Sequence, residues 1–354
     1  MTAMILKELR QLRRDHRTVA LMVLLPVLLL VVFGYAARFD VTTVDTVVVG
    51  PGAATVADGL PGLYDVASVD PDASEQDARD LLRDAEASVA VVAGEGGAIE
   101  RLLIDGTELF TAQSVLRQLP PGARPEVLFN PGLDTATVMV PSLIGLILLF
   151  IGTVITSLGV VREREQGTLE QLAVMPLRPV DVTVGKIAPY FGVALFDMAL
   201  VTTAGLVLFD VPFVGSVVLF AAYGLVFLFV VLGLGVAIST VSSSQGEAIQ
   251  LAIMALLPQV MLSGMIFPLE SMAAGVRWIG YLLPLTWFVA GMRGVMLRGS
   301  SAGAMAPPLA VLTVMAVVVF GVAVLRFRRD LAPRISERAG SSTGGPAVTP
   351  AVAS

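Results

Sequence analysis

The stretch Arg162-Glu163-Arg164-Glu165-Gln166-Gly167-Thr168-Leu169-Glu170-Gln171-Leu172 mixes charges with residues that end and start helices. Its chemistry is that of one helix ending and another beginning. Gly167 can end a helix, because glycine takes the left-handed C-cap conformation without steric cost. Thr168 with Gln171 makes a capping box that begins a new one. Pro176 and Pro179 stop it after about two turns. Two readings stand: a rigid knob with Leu169, Leu172 and Ala173 on one face, able to pass force from a soluble partner, or a solvated connector. Catalytic constellations are poorly supplied. The chain has no cysteine and one histidine, His16, in a basic cluster, which argues against thiolate or multi-imidazole zinc sites and a Ser-His-Asp triad. Gly185-Lys186 lacks the upstream glycine of G-x-x-x-x-G-K-[ST], so no phosphate-cradling loop is expected. Asp197 lies in an apolar run, where a carboxylate is costly and either lines a path or hydrogen-bonds a neighbour. Met254, Met261 and Met265 offer an adaptable apolar lining, or simply core packing.

The elements that position these residues are read from hydropathy. Of 354 residues 55% are hydrophobic and only 15% charged, against about a quarter charged in soluble domains. Six apolar runs are long enough to cross about 30 Å of hydrocarbon: 18–37, 138–161, 187–209, 214–238, 248–267 and 308–325. A signal peptide is the competing reading of the first run, but the run is long for one and no clear A-x-A cleavage site follows. Lys and Arg gather before the first run, between the second and third, and after the last. The positive-inside rule makes these segments cytoplasmic, with both termini inside and 38–137 outside. Arg293 and Arg298 disagree, since they fall on the outer side.

Residues 1–17 read as a cytoplasmic amphipathic helix, with Ile5, Leu9 and Leu12 on one face. Residues 38–137 carry 17 Asp and Glu against 6 Arg and are too long to be a loop. Strands are predicted over 44–49 and 88–93, with a third over 99–104. Helices are predicted over 74–87, with Ser74 as N-cap and Asp77 three residues on, and over 107–119. The result is a small α/β domain without a metal or catalytic cluster. Residues 268–297 hold two pieces too short to cross, split at Pro284, which predicts a re-entrant helical pair. Gly145, Gly152 and Gly159 form a small-residue stripe on one face of the second span. Residues 327–354 are a cytoplasmic tail with a disordered end. The fold class is thus an all-α polytopic membrane protein, the five later spans lying within 138–326, with an extracytoplasmic α/β domain.

An ordered set of motifs runs through this frame. Lys7-Glu8-Leu9, Arg13-Arg14-Asp15 and Phe33-Gly34-Tyr35 open the chain. Leu128-Phe129-Asn130-Pro131, Met139-Val140-Pro141, Arg164 to Leu172, Pro176 and Gly185-Lys186-Ile187-Ala188-Pro189-Tyr190 follow, then Leu283-Pro284-Leu285-Thr286 and Arg293-Gly294. In these the chain resembles the permeases of type-2 ABC transporters over most of its length, least in residues 50–105. Met175, where Ser or Thr commonly precedes the proline, and Ser142, where Gly is frequent, depart from the pattern. The resemblance implies that 168–175 is the coupling helix that docks on an ABC ATPase. Glu163, Glu165, Gly167, Thr168, Glu170, Leu172 and Pro176 would then carry the docking, and 1–17 would be the connecting helix. It implies export across the cytoplasmic membrane, with ATP and magnesium on a separate ATPase chain and no cofactor here. A second permease copy and the lipid bilayer are the remaining expected partners, and no nucleic acid. A hydrophobic or amphiphilic cargo (lipid, glycolipid or drug-like) is the leading expectation. Sodium efflux and a non-transporting membrane sensor are the alternatives.

Overall fold

Val44–Val49 (β1) and Val89–Ala93 (β3) are valine-rich runs that become two of the three inner strands of a five-stranded sheet. A strand covered on both faces needs apolar side chains at successive positions, and these have them. The sheet order is β2-β1-β3-β4-β5, with Tyr64–Asp70 (β2), Ile99–Asp105 (β4) and Pro125–Leu128 (β5). Only β3 and β4 are antiparallel; the other pairs are parallel. Val44, Val48, Val89 and Val91 face Ala53–Gly59 (α1) and Leu109–Arg117 (α3), while Val47, Val49, Ala90 and Val92 face Glu75–Arg83 (α2). The sheet is therefore sandwiched between helices. In α2 the hydroxyl of Ser74 accepts the Asp77 amide, and the Asp77 carboxylate accepts the Ser74 amide.

The computed structural model describes residues 41–166 and 179–331, apart from 42, together with the isolated positions 27 and 30. The expected connecting helix (1–17), the first span (18–37) apart from Val27 and Leu30, the coupling helix (168–175) and the tail beyond 331 lie outside the described residues.

Among these residues five helices are long and apolar enough to cross a membrane. They are Thr135–Glu165 (α4), Pro179–Leu208 (α5), Val217–Val241 (α6), Gln245–Leu262 (α7) and Ala302–Leu331 (α10). They fall on the second to sixth apolar runs. Ala274–Tyr281 (α8) and Pro284–Arg293 (α9), the latter continued by a π-helical turn to Arg298, form the short pair, bent by 73°. That is the shape of a re-entrant loop or a broken span. Its exposed backbone groups are answered within the protein, as apolar surroundings demand. Thr286 Oγ1 donates to Gly280 O at 2.6 Å, and Gln259 Oε1 accepts the Leu285 amide at 3.1 Å.

Helix α4 is central and packs against α5, α6, α7 and α9. A methyl group built on Gly145 would lie 2.4 Å from the Phe288 ring, on Gly152 2.5 Å from Val231, and on Gly159 1.9 Å from the Tyr190 hydroxyl. The glycine stripe thus admits three different neighbours, α9, α6 and α5, within one chain. Conversely, α5 and α10 turn Phe196, Leu200, Val207, Val314 and Val317 outward, as surfaces facing lipid must.

Candidate functional site

Of the expected docking residues, Glu163 and Glu165 close the last turn of α4, and the other five, Gly167, Thr168, Glu170, Leu172 and Pro176, fall outside the described residues. The Glu165 carboxylate accepts the Gln245 backbone amide at 3.1 Å and also its side-chain amide. It therefore serves an otherwise unpaired N–H at the start of α7, where negative charge also favours the helix dipole. Arg164 donates to Ser239 O and Ser242 O, both at 3.1 Å, at the end of α6. Ser244 completes the α7 cap by accepting the Glu247 amide at 3.3 Å. The end of α4 that leads into 167–178 is thus fastened to both α6 and α7.

The expected pathway residues are not gathered together. Asp197, half-buried on α5, borders a crevice of only about 10 Å³ with Gly152, Thr156 and Tyr190. Met254 is half-buried on α7, and Met261 packs with Phe267 and Met272. Helix α7 ends at Leu262, short of the apolar run read from the sequence, so Met265 belongs to the turn that follows. It is buried there and borders a different cavity.

That cavity, of about 210 Å³, lies on the seam between the sheet domain and the helical bundle. Met139, Met265, Ile266, Leu269 and Val289 give it apolar walls, and Glu108, Glu270, Arg293 and Arg298 give it charge. Arg298 extends from the bundle and meets Asp105 at the end of β4, 3.2 Å away, with the two side chains 7% and 1% exposed. It also donates to Thr107 Oγ1 at 3.1 Å, while the Thr107 amide donates to Asp105 at 2.8 Å. Arg293 donates to the carbonyls of Gly264 and Met265 at 3.3 and 2.9 Å. Nearby, Asp84 receives the Ser301 amide and hydroxyl, each at 2.8 Å, and Ser300 donates to Arg83 O. Burial raises the Asp84 carboxyl, but the Ser301 hydrogen bonds and the Arg83 charge outweigh it and hold it below its ordinary value. Glu108 is half-buried in the cavity wall. Burial first, then the Asp105 and Glu270 charges, push its carboxyl up to about 7, against the pull of Arg298 and a hydrogen bond from Ser88 at 3.0 Å.

Sequence reasoning did not find this seam. A signal existed: Arg293 and Arg298 broke the charge rule that orients the spans. Both are here committed to neighbours inside the protein. The Leu128-Phe129-Asn130-Pro131 motif belongs to the same junction. Phe129 and Leu133 take φ of +64° and +50°, a region side chains rarely enter. Between them Asn130 donates to Gly106 O and Asp134 O, both at 3.2 Å, and accepts the Asp134 amide at 3.0 Å. Its amide group replaces backbone pairing where β5 turns into α4. Among the described residues no His, Cys, Asp and Glu cluster is arranged to hold a metal ion.

Comparison with known proteins agrees with this architecture. The pattern described as ABC-2 family transporter protein matches residues 16–325. The "Probable multidrug ABC transporter permease YbhS" of Escherichia coli is 28% identical over 93% of this chain and 97% of its own length. The "Probable multidrug ABC transporter permease YbhR" of the same organism is 34% identical over 49% of this chain and 47% of its own. The "Inner membrane transport permease YhhJ", also from Escherichia coli, is 34% identical over 57% of this chain and 54% of its own.

Proposed function

Because the chain belongs to the ABC-2 transporter family, we propose that it is the permease subunit of an ATP-driven exporter that moves a hydrophobic or amphiphilic molecule outward. ATP and magnesium are bound by a separate ABC ATPase. Residues 168–175 dock on that ATPase, which sets the 167–178 segment, both termini and the basic flanks on the cytoplasmic side and the sheet domain outside. Two permease copies and two ATPases complete the unit in the cytoplasmic membrane.

The observation that carries the reading is the fastening of α4 by Glu165 and Arg164 at the edge of that segment. A force applied to 168–175 reaches α6 and α7 through these hydrogen bonds, while α4 itself packs against α5, α6, α7 and α9. Rigid packed elements with discrete contacts can carry such coupling. The amphiphile reading rests on the apolar character of the spans, which offer few of the coordinating oxygens an ion path requires.

The test is reconstitution with the partner ATPase in liposomes, comparing ATP-dependent movement of a fluorescent amphiphile with that of sodium. Leu172→Asp is expected to abolish transport-stimulated ATP hydrolysis while the protein still inserts. Unchanged transport in that variant, or movement of sodium alone, would overturn the reading.

A further inference from the structure

The cavity at the seam has features of a binding site. Small-molecule sites are concave, mostly apolar, and carry a few convergent polar groups. Here the walls are methionine, leucine, isoleucine and valine, interrupted by a handful of charges. The cavity's size excludes a whole lipid. It exceeds the roughly 150 Å³ dry cavity that accepts benzene by about half, room for a short alkyl or aryl group with a charged end.

The sign of that end follows from the pairing of the charges. Arg298 is neutralised by Asp105 at 3.2 Å. Arg293 gives Nη1 and Nη2 to the carbonyls of Gly264 and Met265, keeps a buried Nε–H without a partner, and has no carboxylate within 4 Å among the described residues. Glu108 receives only the Ser88 hydroxyl, and Glu270 stands exposed at the edge. Two carboxylates thus face one guanidinium that lacks a carboxylate partner, which leaves an excess of one negative charge. A buried carboxylate is costly without a counter-charge. Half-buried in the cavity wall, Glu108 has a hydroxyl beside it and no cation within 4 Å among the described residues.

We propose that this cavity binds the positively charged end of an amphiphile, an alkyl- or arylammonium, with Glu108 as its counter-charge and the Met139, Met265 and Val289 side chains around its apolar body. This rests on the reading of the chain as an exporter of amphiphiles, and it places a cargo contact at the junction of bundle and sheet domain. The ammonium relieves the repulsion among Glu108, Asp105 and Glu270, so occupancy also tightens the seam. Protons compete for the same carboxylate. Glu108 has its carboxyl at about 7 through burial and its acidic neighbours, and the charged groups facing it are Asp105, Glu270, Arg293 and Arg298. Binding therefore strengthens as the pH rises through neutrality.

The chain has no cysteine, which makes a direct test available without the ATPase. Ala290 borders the cavity and is exposed. In the full chain in nanodiscs, Ala290→Cys is treated at pH 8.5 with two methanethiosulfonate reagents of similar size, one ending in trimethylammonium and one in sulfonate. Rates are normalised to Gln113→Cys, an exposed position on α3. The cationic reagent is expected to be favoured on the order of a hundredfold, since reagents of opposite sign differ by two unit charges in the field of one carboxylate at ~10 Å and an effective dielectric constant of ~20. Glu108→Gln should remove most of that preference. Hexyltrimethylammonium should slow modification of the cysteine and hexanesulfonate should not. Should Glu108→Gln fail to assemble, the parent cysteine variant at pH 5.5 and 8.5 replaces it, with protection at least tenfold weaker at the lower pH. Protection by the sulfonate, equal rates for the two reagents, or protection indifferent to both Glu108→Gln and pH would overturn the proposal. Loss of amphiphile transport with protection intact would instead count against the export reading alone.

Discussion

Replacing Arg298 by methionine tests whether the seam is held by charge. The variant keeps most of the side-chain volume and removes the guanidinium. Asp105, 1% exposed, then loses its ion pair at 3.2 Å and retains the Thr107 amide at 2.8 Å. Removing one partner of a buried pair costs about 3–5 kcal/mol, because the other charge stays buried and uncompensated. The contact here is made through a single nitrogen, which argues for the lower end, about 3 kcal/mol. Neutralising both partners is much cheaper. Asn at 105 can still accept the Thr107 amide, so Asp105→Asn with Arg298→Met should recover about 2 kcal/mol of that loss. Denaturant unfolding in a fixed detergent can follow this through Trp278 and Trp287, the chain's two tryptophans, both in the bent pair beside the seam. Proteolysis of the sheet domain gives a second readout. Equal destabilisation of the single and double variants, or none in Arg298→Met, would refute the argument that an uncompensated charge is what matters.

Three further outcomes are expected. Glu108 has a carboxyl raised to about 7, so its protonation stabilises the fold: the contribution is complete below the ordinary glutamate value of about 4.3 and is lost as the pH rises through 7, on the order of 3–4 kcal/mol. Glu108→Gln should flatten that limb of a melting-temperature profile against pH, and an unchanged slope would contradict it. Gly145→Leu, which drives a side chain into the buried Phe288 ring, should cost well over 2 kcal/mol and sharply lower folded yield, while Gly192→Leu, with open space around it, should be close to neutral; size-exclusion chromatography after detergent extraction compares them. Finally, an impermeant maleimide applied to intact cells should label Asp72→Cys and Gln113→Cys but not Gln166→Cys, all exposed positions; labelling at 166 would invert the proposed orientation.

Much of this protein was legible in its sequence. Five helices fall on apolar runs, because lipid imposes length and composition on any segment that crosses it. The capping box at Ser74 and Asp77 and the valine-rich strands β1 and β3 were equally plain, since capping is local and strands buried on both faces admit little but apolar residues. Tyr64–Asp70 and Pro125–Leu128 were not. They are edge strands, with one side of the ladder unpaired and exposed positions that accept Asp, Ser, Glu and Pro. Helix α1, seven residues with no side-chain cap, carries too little local signal to be read.

The seam left only an indirect trace in the sequence, the misplaced charges of Arg293 and Arg298. Asp105 and Arg298 are 193 residues apart, and Glu108 looks like one more surface acid in an acidic domain. Only the packing of the sheet domain against the bundle turns it into a half-buried carboxylate lining a cavity. The same packing gives Arg293 and Arg298, misfits in a rule about exposed loop charges, a place among carbonyls and a carboxylate. Composition and periodicity fix what each segment must bury, because those demands act within a turn or a strand. Which charges end up facing one another is decided by how distant segments dock, and that information exists only in three dimensions.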